Sequence, residues 1–439
     1  MTTAGSPPTE THAVQASSTW ATTKLRFLLE VNPAMPADLR AQSDRLVPFV
    51  PMEALGEDGT LDTTRERPVS ELLTGYSYFA NGDVLMAKVT PCFENGKAAL
   101  VDTLPSGHGF GSTEVTTLRA SAGLYPDFLY YLVRSDHFRQ ASIASMTGAG
   151  GLKRVPDEHI RSFETPVPSE IEQRAIADFL NRETAKIDAL IDKQDQLIAT
   201  MREDRAATIT HAVTKGLNPN VAMKDSGAPW VGKVPAHWTL AKLKHGFSVT
   251  LGKMYQGEAK SPGDVELPHL KAGSVTENGL NLADPMMCWF TPAEARSLAL
   301  RAGDVLVVEG GAIGRCAVLK EDLRGWGFQK SLNRVRALGN DSPQFLAYLI
   351  ETATLSGHVS ILCGKATIPH FTAEKLAELE WPHPSIDEQK KIVDFLDSRC
   401  ASIDALINKS IEMIETLREY RSALITNAVT GKIDVREAV

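Results

Sequence analysis

Two stretches of the chain carry apolar residues at a period between three and four. In the first, Leu180, Ile187, Leu190, Leu197 and Met201 recur at steps of seven, three, seven and four. In the second, Leu396, Ile403, Leu406, Met413, Leu417 and Leu424 repeat that pattern. Such spacing marks the a and d positions of a heptad seam. Ser169 and Ser385 are each followed three residues later by glutamate, Glu172 and Glu388, with Pro168 and Pro384 just before. This is the capping-box signature of a helix start. Gly216 and Gly431 stand where a C-terminal glycine belongs. The pattern predicts two helices, 169–216 and 385–432, each about 70 Å long at 1.5 Å per residue. Helices of that length need a partner. Here the simplest partner is the other helix, lying antiparallel, in preference to each helix folding onto its own globule.

The rest of the chain changes character. Short apolar runs bounded by glycine and proline, such as Gly303-Asp-Val-Leu-Val-Val308 and the neighbours of Val101, read as strands. Pro343 to Ile350 reads as a short helix. The expected architecture is mixed α/β: two globules separated by two long antiparallel coiled-coil helices, with an internal pseudo-two-fold repeat. The expected boundaries are a disordered tail over 1–20, a globule over 21–168, a helix over 169–216, and a globule with its opening linker over 217–384. The second helix over 385–432 and a tail over 433–439 follow.

The repeat is visible residue by residue. Pro168-Ser-Glu-Ile-Glu-Gln173 matches Pro384-Ser-Ile-Asp-Glu-Gln389, and Ile187-Asp-Ala-Leu-Ile-Asp-Lys193 matches Ile403-Asp-Ala-Leu-Ile-Asn-Lys409. Thr210-His-Ala-Val-Thr214 matches Thr426-Asn-Ala-Val-Thr430. Upstream, Gly82-Asp-Val-Leu85 pairs with Gly303-Asp-Val-Leu306, Gly96-Lys97 with Gly314-Arg315, and Pro126-Asp-Phe-Leu129 with Pro343-Gln-Phe-Leu346. The helices agree closely and the globules do not. Two surfaces are held to one task while two others are free to differ, and a pseudo-symmetric molecule of this kind offers two equivalent faces to two copies of one partner.

Composition excludes several classes. The 439 residues are 43% hydrophobic and 23% charged, as in an ordinary globular protein of two or three domains. No apolar run approaches the ~20 residues that span a membrane. Five cysteines, with no CxxC pair, suggest neither a disulfide framework nor a zinc knuckle, and a reducing cytoplasm is the expected setting. Phosphate-loop, HExxH, GxSxG and methyltransferase tetrapeptide patterns are missing, so no catalysis is indicated.

In combination, these marks resemble the DNA-specificity subunit of type I restriction-modification systems, over a span from about Thr22 to Val439. The carriers are Pro-x-Pro followed by Glu-Gln at the head of a long helix, seen twice (Pro166 to Gln173; Pro382 to Gln389), and the helix ending in Ala-Val-Thr, also seen twice. Trp230-Val-Gly-Lys-Val-Pro-Ala-His-Trp238 looks like the motif that opens a recognition domain in that family. The first globule lacks it and starts at Thr22-Thr-Lys-Leu-Arg26. The resemblance implies two target-recognition domains, each reading half of a split site on double-stranded DNA. It implies helices that act as a ruler and bind two methyltransferase subunits, which carry S-adenosylmethionine. A restriction-translocase subunit is a further partner in such systems. This chain would hold no cofactor and no metal, and would itself be non-catalytic. The rival expectation is a coiled-coil scaffold that reads no DNA.

Charge bears on that reading. Residues 20–168 hold 14 basic and 18 acidic side chains, and residues 225–384 hold 16 of each. Phosphate affinity follows the cations placed at the backbone rather than net charge, so a near-neutral reader that binds weakly alone is expected. Lys, Arg, Gln and Asn in glycine-rich loops pair best with guanine and adenine edges. In the first globule these are Lys88, Lys97, Lys153 and Arg154. In the second they are Lys253, Tyr255, Gln256, Arg315, Gln329, Lys330 and Lys365. Lys97 and Arg315 occupy matching places in the repeat.

Overall fold

The computed structural model describes residues 20–277, 279–364 and 369–435. The tail expected over 1–20 lies, but for Trp20, outside the described residues, as do 436–439 of the tail expected over 433–439.

The first globule is built on a four-stranded antiparallel sheet in the order Leu29–Val31, Val115–Ala120, Val84–Ala87, Ala98–Leu100. The second repeats it as Phe247–Leu251, Leu332–Ala337, Val305–Val308, Cys316–Val318. Each central strand is covered on both faces. Val305 and Val307 join a core with Phe345 and Leu349 of the helix Pro343–Leu355, while Leu306 and Val308 join another with Leu270 and Phe328. In the first copy, Val84 and Met86 meet Phe128 and Leu132 of the helix Pro126–Arg134, and Leu85 and Ala87 meet Val50 and Phe79. A strand sealed on both sides reads as a continuous apolar run, as Val305-Leu-Val-Val308 does. The layers are therefore helix, sheet, and a second sheet that contains one parallel pair, Phe49 beside Phe110 in one globule and Leu270 beside Phe328 in the other. The last strand of each globule pairs with one near its start, Glu164–Val167 with Ala21–Lys24 and Glu380–His383 with Thr239–Lys242.

The long helices run over Glu170–Lys215 and Ile386–Val429. At the first, the capping box closes in both directions: the Glu172 amide donates to Ser169 Oγ at 3.4 Å, and the Ser169 amide donates to Glu172 Oε2 at 3.0 Å. At the second, the Glu388 amide donates to Ser385 Oγ, but the Glu388 carboxylate turns to His237 Nε2 at 3.0 Å. Gly216 and Gly431 end the helices with φ of 73° and 70°, the left-handed conformation that a Cβ disfavours.

The chain divides into two compact units: the chain up to Gln194 together with Ile411 onward, and Asp195–Ser410. Each long helix gives one half to each unit. In the first unit Leu180 and Ile187 share a core with Leu424, Ile425 and Ala428, and Arg421 Nε pairs with Asp188 Oδ1 at 3.0 Å. In the second, Ile209 and Ala212 share a core with Ile392, Leu396 and Cys400, and Arg205 Nε pairs with Asp404 Oδ1 at 3.2 Å. These ion pairs are counterparts: adding the repeat offset turns Asp188 into Asp404 and Arg205 into Arg421. Within each unit the early turns of one helix meet the late turns of the other, so the pairing is antiparallel.

The seam differs from the expected one in phase. Leu180, Ile187, Leu396 and Ile403 are buried, and Met201 and Leu417 are half-buried. Leu190, Leu197, Leu406 and Met413 are not sealed; they are 47%, 46%, 53% and 49% exposed. The seam passes instead through Ile191, Ile198, Ile407 and Ile414, the last three 7%, 8% and 6% exposed. Each misassigned residue directly precedes a seam isoleucine, and a step of four from Ile187 and Ile403, in place of three, brings the stripe onto the partner helix.

The Glu-Gln of the repeated motif has a structural reason. Gln173 and Gln389 are fully buried. Gln173 accepts from the Tyr125 amide at 2.7 Å and donates to the Gly123 and Pro168 carbonyls. Gln389 accepts from the Ser342 amide at 2.8 Å and donates to Asp341 and the Pro384 carbonyl. Each glutamine thus pins the start of its long helix to the helix start beneath it in the same globule. The second-globule opening motif packs on the end of the first long helix: Trp238 is fully buried in the core that holds Ala212 and Val213, and Lys215 Nζ donates to the Lys233 carbonyl. Trp20, just before the equivalent first strand, is partly buried against the core of the first globule. The first globule therefore keeps the final tryptophan of that motif.

Candidate nucleic-acid interface

At one edge of each central sheet, a loop and an incoming segment are tied by the same backbone hydrogen bonds. In the first globule the strand Val84–Ala87 runs on into Lys88. The Lys88 amide donates to the Glu114 carbonyl (2.9 Å), its own carbonyl accepts from the Val155 amide (2.9 Å), and the Ala87 amide donates to the Lys97 carbonyl (3.0 Å). Val89 bridges to Arg154. The hairpin Thr147–Ala149 with Leu152–Arg154 is thereby fastened beside the loop, and Thr90 reinforces it through the Lys153 amide and the Gly151 carbonyl. Gly148 lets that hairpin close, since a Cβ there would stand 2.1 Å from the Leu152 carbonyl oxygen. The fold therefore brings Lys88, Lys97, Lys153 and Arg154 together, with Lys153 and Arg154 exposed.

The second globule repeats this cradle with other side chains. The Glu309 amide donates to the Ser331 carbonyl (2.9 Å), its carbonyl accepts from Phe371 (2.8 Å), the Val308 amide donates to the Arg315 carbonyl (2.8 Å), and Gly310 bridges to His370. By these bonds Arg315 is the counterpart of Lys97, Glu309 of Lys88 and His370 of Arg154. Arg315 faces Glu277 at 3.7 Å, an exposed pair worth little. Glu309 and His370 escaped the sequence reading. The signal was present: carried six residues past Gly82/Gly303, the same register takes Lys88 onto Glu309. Partial burial raises the Glu309 carboxyl above its ordinary range, with the charges of His370 and Lys330 pulling the other way. Lys365 lies outside the described residues.

The other second-globule candidates converge beside this cradle. Lys253 bridges to Gln329, the Lys253 amide donates to the Phe328 carbonyl, and the Lys330 amide donates to the Lys253 carbonyl. Gly252 permits the approach, since a Cβ would meet the Gln329 carbonyl oxygen at 2.3 Å. The Lys253 side chain, however, is not free for a ligand. It is 9% exposed, ion-paired with Glu294 and set over the Phe290 ring. Burial pushes the Glu294 carboxyl up, but Lys253 and Thr291 outweigh it and hold it below its ordinary range. Gln256 spends its amide on the Glu258 carbonyl at 2.8 Å. Gln329 accepts from Ser331 Oγ at 3.3 Å. Lys330 and Tyr255 remain exposed, and the Tyr255 ring lies 5.9 Å from that of His269. Burial lowers the His269 pKa. Among the described residues no group of acidic, histidine and cysteine side chains could hold a metal ion, and no helix is long and apolar enough to cross a membrane.

Comparison with known proteins places this geometry among relatives. The family described as "Type I restriction modification DNA specificity domain" matches residues 263–416. The EcoEI specificity subunit of Escherichia coli is 30% identical over 192 residues, which cover 42% of this chain and 32% of that protein. The chain thus spans about a third of the length of the EcoEI and EcoAI subunits it matches. The MjaVIII specificity subunit of Methanocaldococcus jannaschii is 23% identical over 326 residues, 70% of each chain. Among solved structures, a chain described under complex assembly and conformational transition of the type I R-M system shares the fold with a TM-score of 0.75 at 19% identity, over 94% of this chain and 98% of that one. The HsdS subunit of Thermoanaerobacter tengcongensis shares it with a TM-score of 0.52 at 20% identity, over 94% and 97%.

Proposed function

We infer that this chain is a specificity subunit of a type I restriction-modification system and the non-catalytic reader of such a complex. Each globule reads one half of a bipartite site on double-stranded DNA. The observation that carries this reading is the repeated cradle, where one set of backbone hydrogen bonds presents Lys88, Lys97 and Arg154 in one globule and Glu309, Arg315 and His370 in the other. A scaffold needs the cradle but not the change of side chains. Two readers of different half-sites need both, because base identity is read by donor and acceptor placement while the backbone of the reader only positions it.

The long helices set the half-site spacing and dock two methyltransferase subunits, which bring S-adenosylmethionine. A restriction subunit joins through that assembly. The half-exposed apolar residues support the docking. Leu190 and Met413 lie in the first unit, Leu406 and Leu197 in the second, and the repeat offset maps one pair onto the other. Exposed apolar side chains at repeated positions mark interaction surfaces, and two equivalent sets fit two copies of one partner.

Modified-base sequencing of a host with and without the gene tests the reading. Loss of the gene erases one bipartite methyl-adenine motif throughout the genome. An unchanged methylation pattern beside an intact methyltransferase partner refutes it.

A further inference from the structure

The second globule carries an acid where the first carries a base, at the one position that both cradles hold by the same two hydrogen bonds. The Lys88 and Glu309 amides each donate across to the neighbouring strand, at Glu114 and Ser331, and their carbonyls each accept from the incoming segment, at Val155 and Phe371. The fold thus uses only the backbone of this residue and leaves its side chain free to vary. Glu309 is half-buried. Among the described residues its carboxylate accepts no hydrogen bond, and Lys330 and His370 act on it only through space. Its oxygens are open to an incoming donor, with no protein group to be displaced first. The carboxylate also repels phosphate, so this position does not serve as a backbone contact. Lys330, exposed beside it, and the exposed Arg315 across the loop, held only by its solvent-facing pair with Glu277, suit that role.

We propose that Glu309 reads a base in the half-site of the second globule by accepting a hydrogen bond from an exocyclic amino group on the major-groove edge, cytosine N4 or adenine N6. Lys88, its counterpart, presents a donor to guanine O6 and N7 in the other half-site. This rests on the DNA-reading function inferred above and adds to it the chemical class of one base at each half-site. Acidic side chains accept from cytosine N4, and lysine donates to guanine.

The test uses the full chain co-expressed with its methyltransferase partner, and reads the methyl-adenine motif in the host for wild type, E309L, E309K and K88E. The wild-type motif has cytosine or adenine at one position of one half-site, and which base it is identifies the amino group. E309K shifts that position toward guanine. E309L keeps much of the side-chain bulk, has no acceptor, and loses roughly 5- to 150-fold of the discrimination there. K88E changes one position in the other half-site and leaves the first alone. If E309L and E309K both keep the wild-type motif, or if they lower methylation evenly at all sites, Glu309 is not a base reader. Should E309K abolish methylation, E309L decides by the same criterion. A wild-type complex that directs no bipartite motif sinks the DNA-reading function itself, an outcome distinct from unaltered specificity in the variants.

Discussion

The phase of the helix seam separates two roles that adjacent residues of one helix would otherwise share. In the second unit Ile198 is 7% exposed and its neighbour Leu197 is 46% exposed. Removing a buried isoleucine side chain loses its transfer free energy and leaves a cavity, together about 3 kcal/mol for Ile198→Ala. For a unit of this size that lowers the midpoint of thermal unfolding by roughly 6–12 °C. Leu197→Ala removes a side chain that is 46% exposed; the half already buried is worth about 1 kcal/mol and alanine's better helix propensity returns about 0.2 kcal/mol, so stability falls by less than about 1 kcal/mol, a third of the cost at Ile198. The partner pays instead. About half of a leucine's burial energy, ~1 kcal/mol, is still available to a docked subunit at each such residue. The double variant Leu197→Ala with Leu406→Ala therefore weakens methyltransferase binding at that face by ~2 kcal/mol, about 30-fold in Kd. Calorimetric unfolding and titration with purified methyltransferase, run on the same variants, measure the two effects. Leu190→Ala with Met413→Ala does the same at the other face, and light scattering of either double variant shows a 1:1 complex where the wild type gives two methyltransferases per chain. The reasoning fails if Leu197→Ala melts as early as Ile198→Ala, or if the double variants bind the partner at wild-type affinity.

Three further outcomes follow from other parts of the molecule. Insertion of one heptad after Asp192 and another after Asn408 keeps the seam in register and adds ~10 Å to the helix pair; methylation that survives falls on the same half-sites with a gap about three base pairs longer at ~3.4 Å each, whereas an unchanged gap means the helices are not the ruler. Gln389→Leu strands the Ser342 amide, while Asp341 loses one donor and keeps His383, and denaturant titration shows a loss of about 1–3 kcal/mol; a loss below ~0.5 kcal/mol rejects the anchoring role. The Glu378 carboxyl is held down to about 2 by Lys242 and Lys244. Because its folded value lies below the unfolded one, the contribution is present at neutral pH and disappears as pH falls from about 4.5 toward 2. Proton titration followed by NMR checks this, and a Glu378 midpoint near 4.5 contradicts it.

The duplication, the two capping serines, the glycine stops and the length of both helices were legible in the chain alone, because each depends on contacts within a few residues; the second capping box was not, since Glu388 turns to His237, 151 residues away. The match of Lys97 with Arg315 was legible too, since local glycines mark it. The seam phase was not. Leu190-Ile191, Leu197-Ile198, Leu406-Ile407 and Met413-Ile414 are all apolar doublets, and a period of 3.6 cannot choose between neighbours 100° apart on the helix. Only the facing helix chooses, by burying the isoleucine of each doublet. The same limit applied at the interface. Lys253 looked like a free cation until Glu294, 41 residues away, closed on it. Glu309 looked like any surface acid until the strand behind it and the segment from Phe371 fixed it in the place that Lys88 holds. Local pattern determined which elements form and where they stop. Which side of each element is covered, and which charges are left free, depends on residues distant in sequence, and so was decided only when the chain packed.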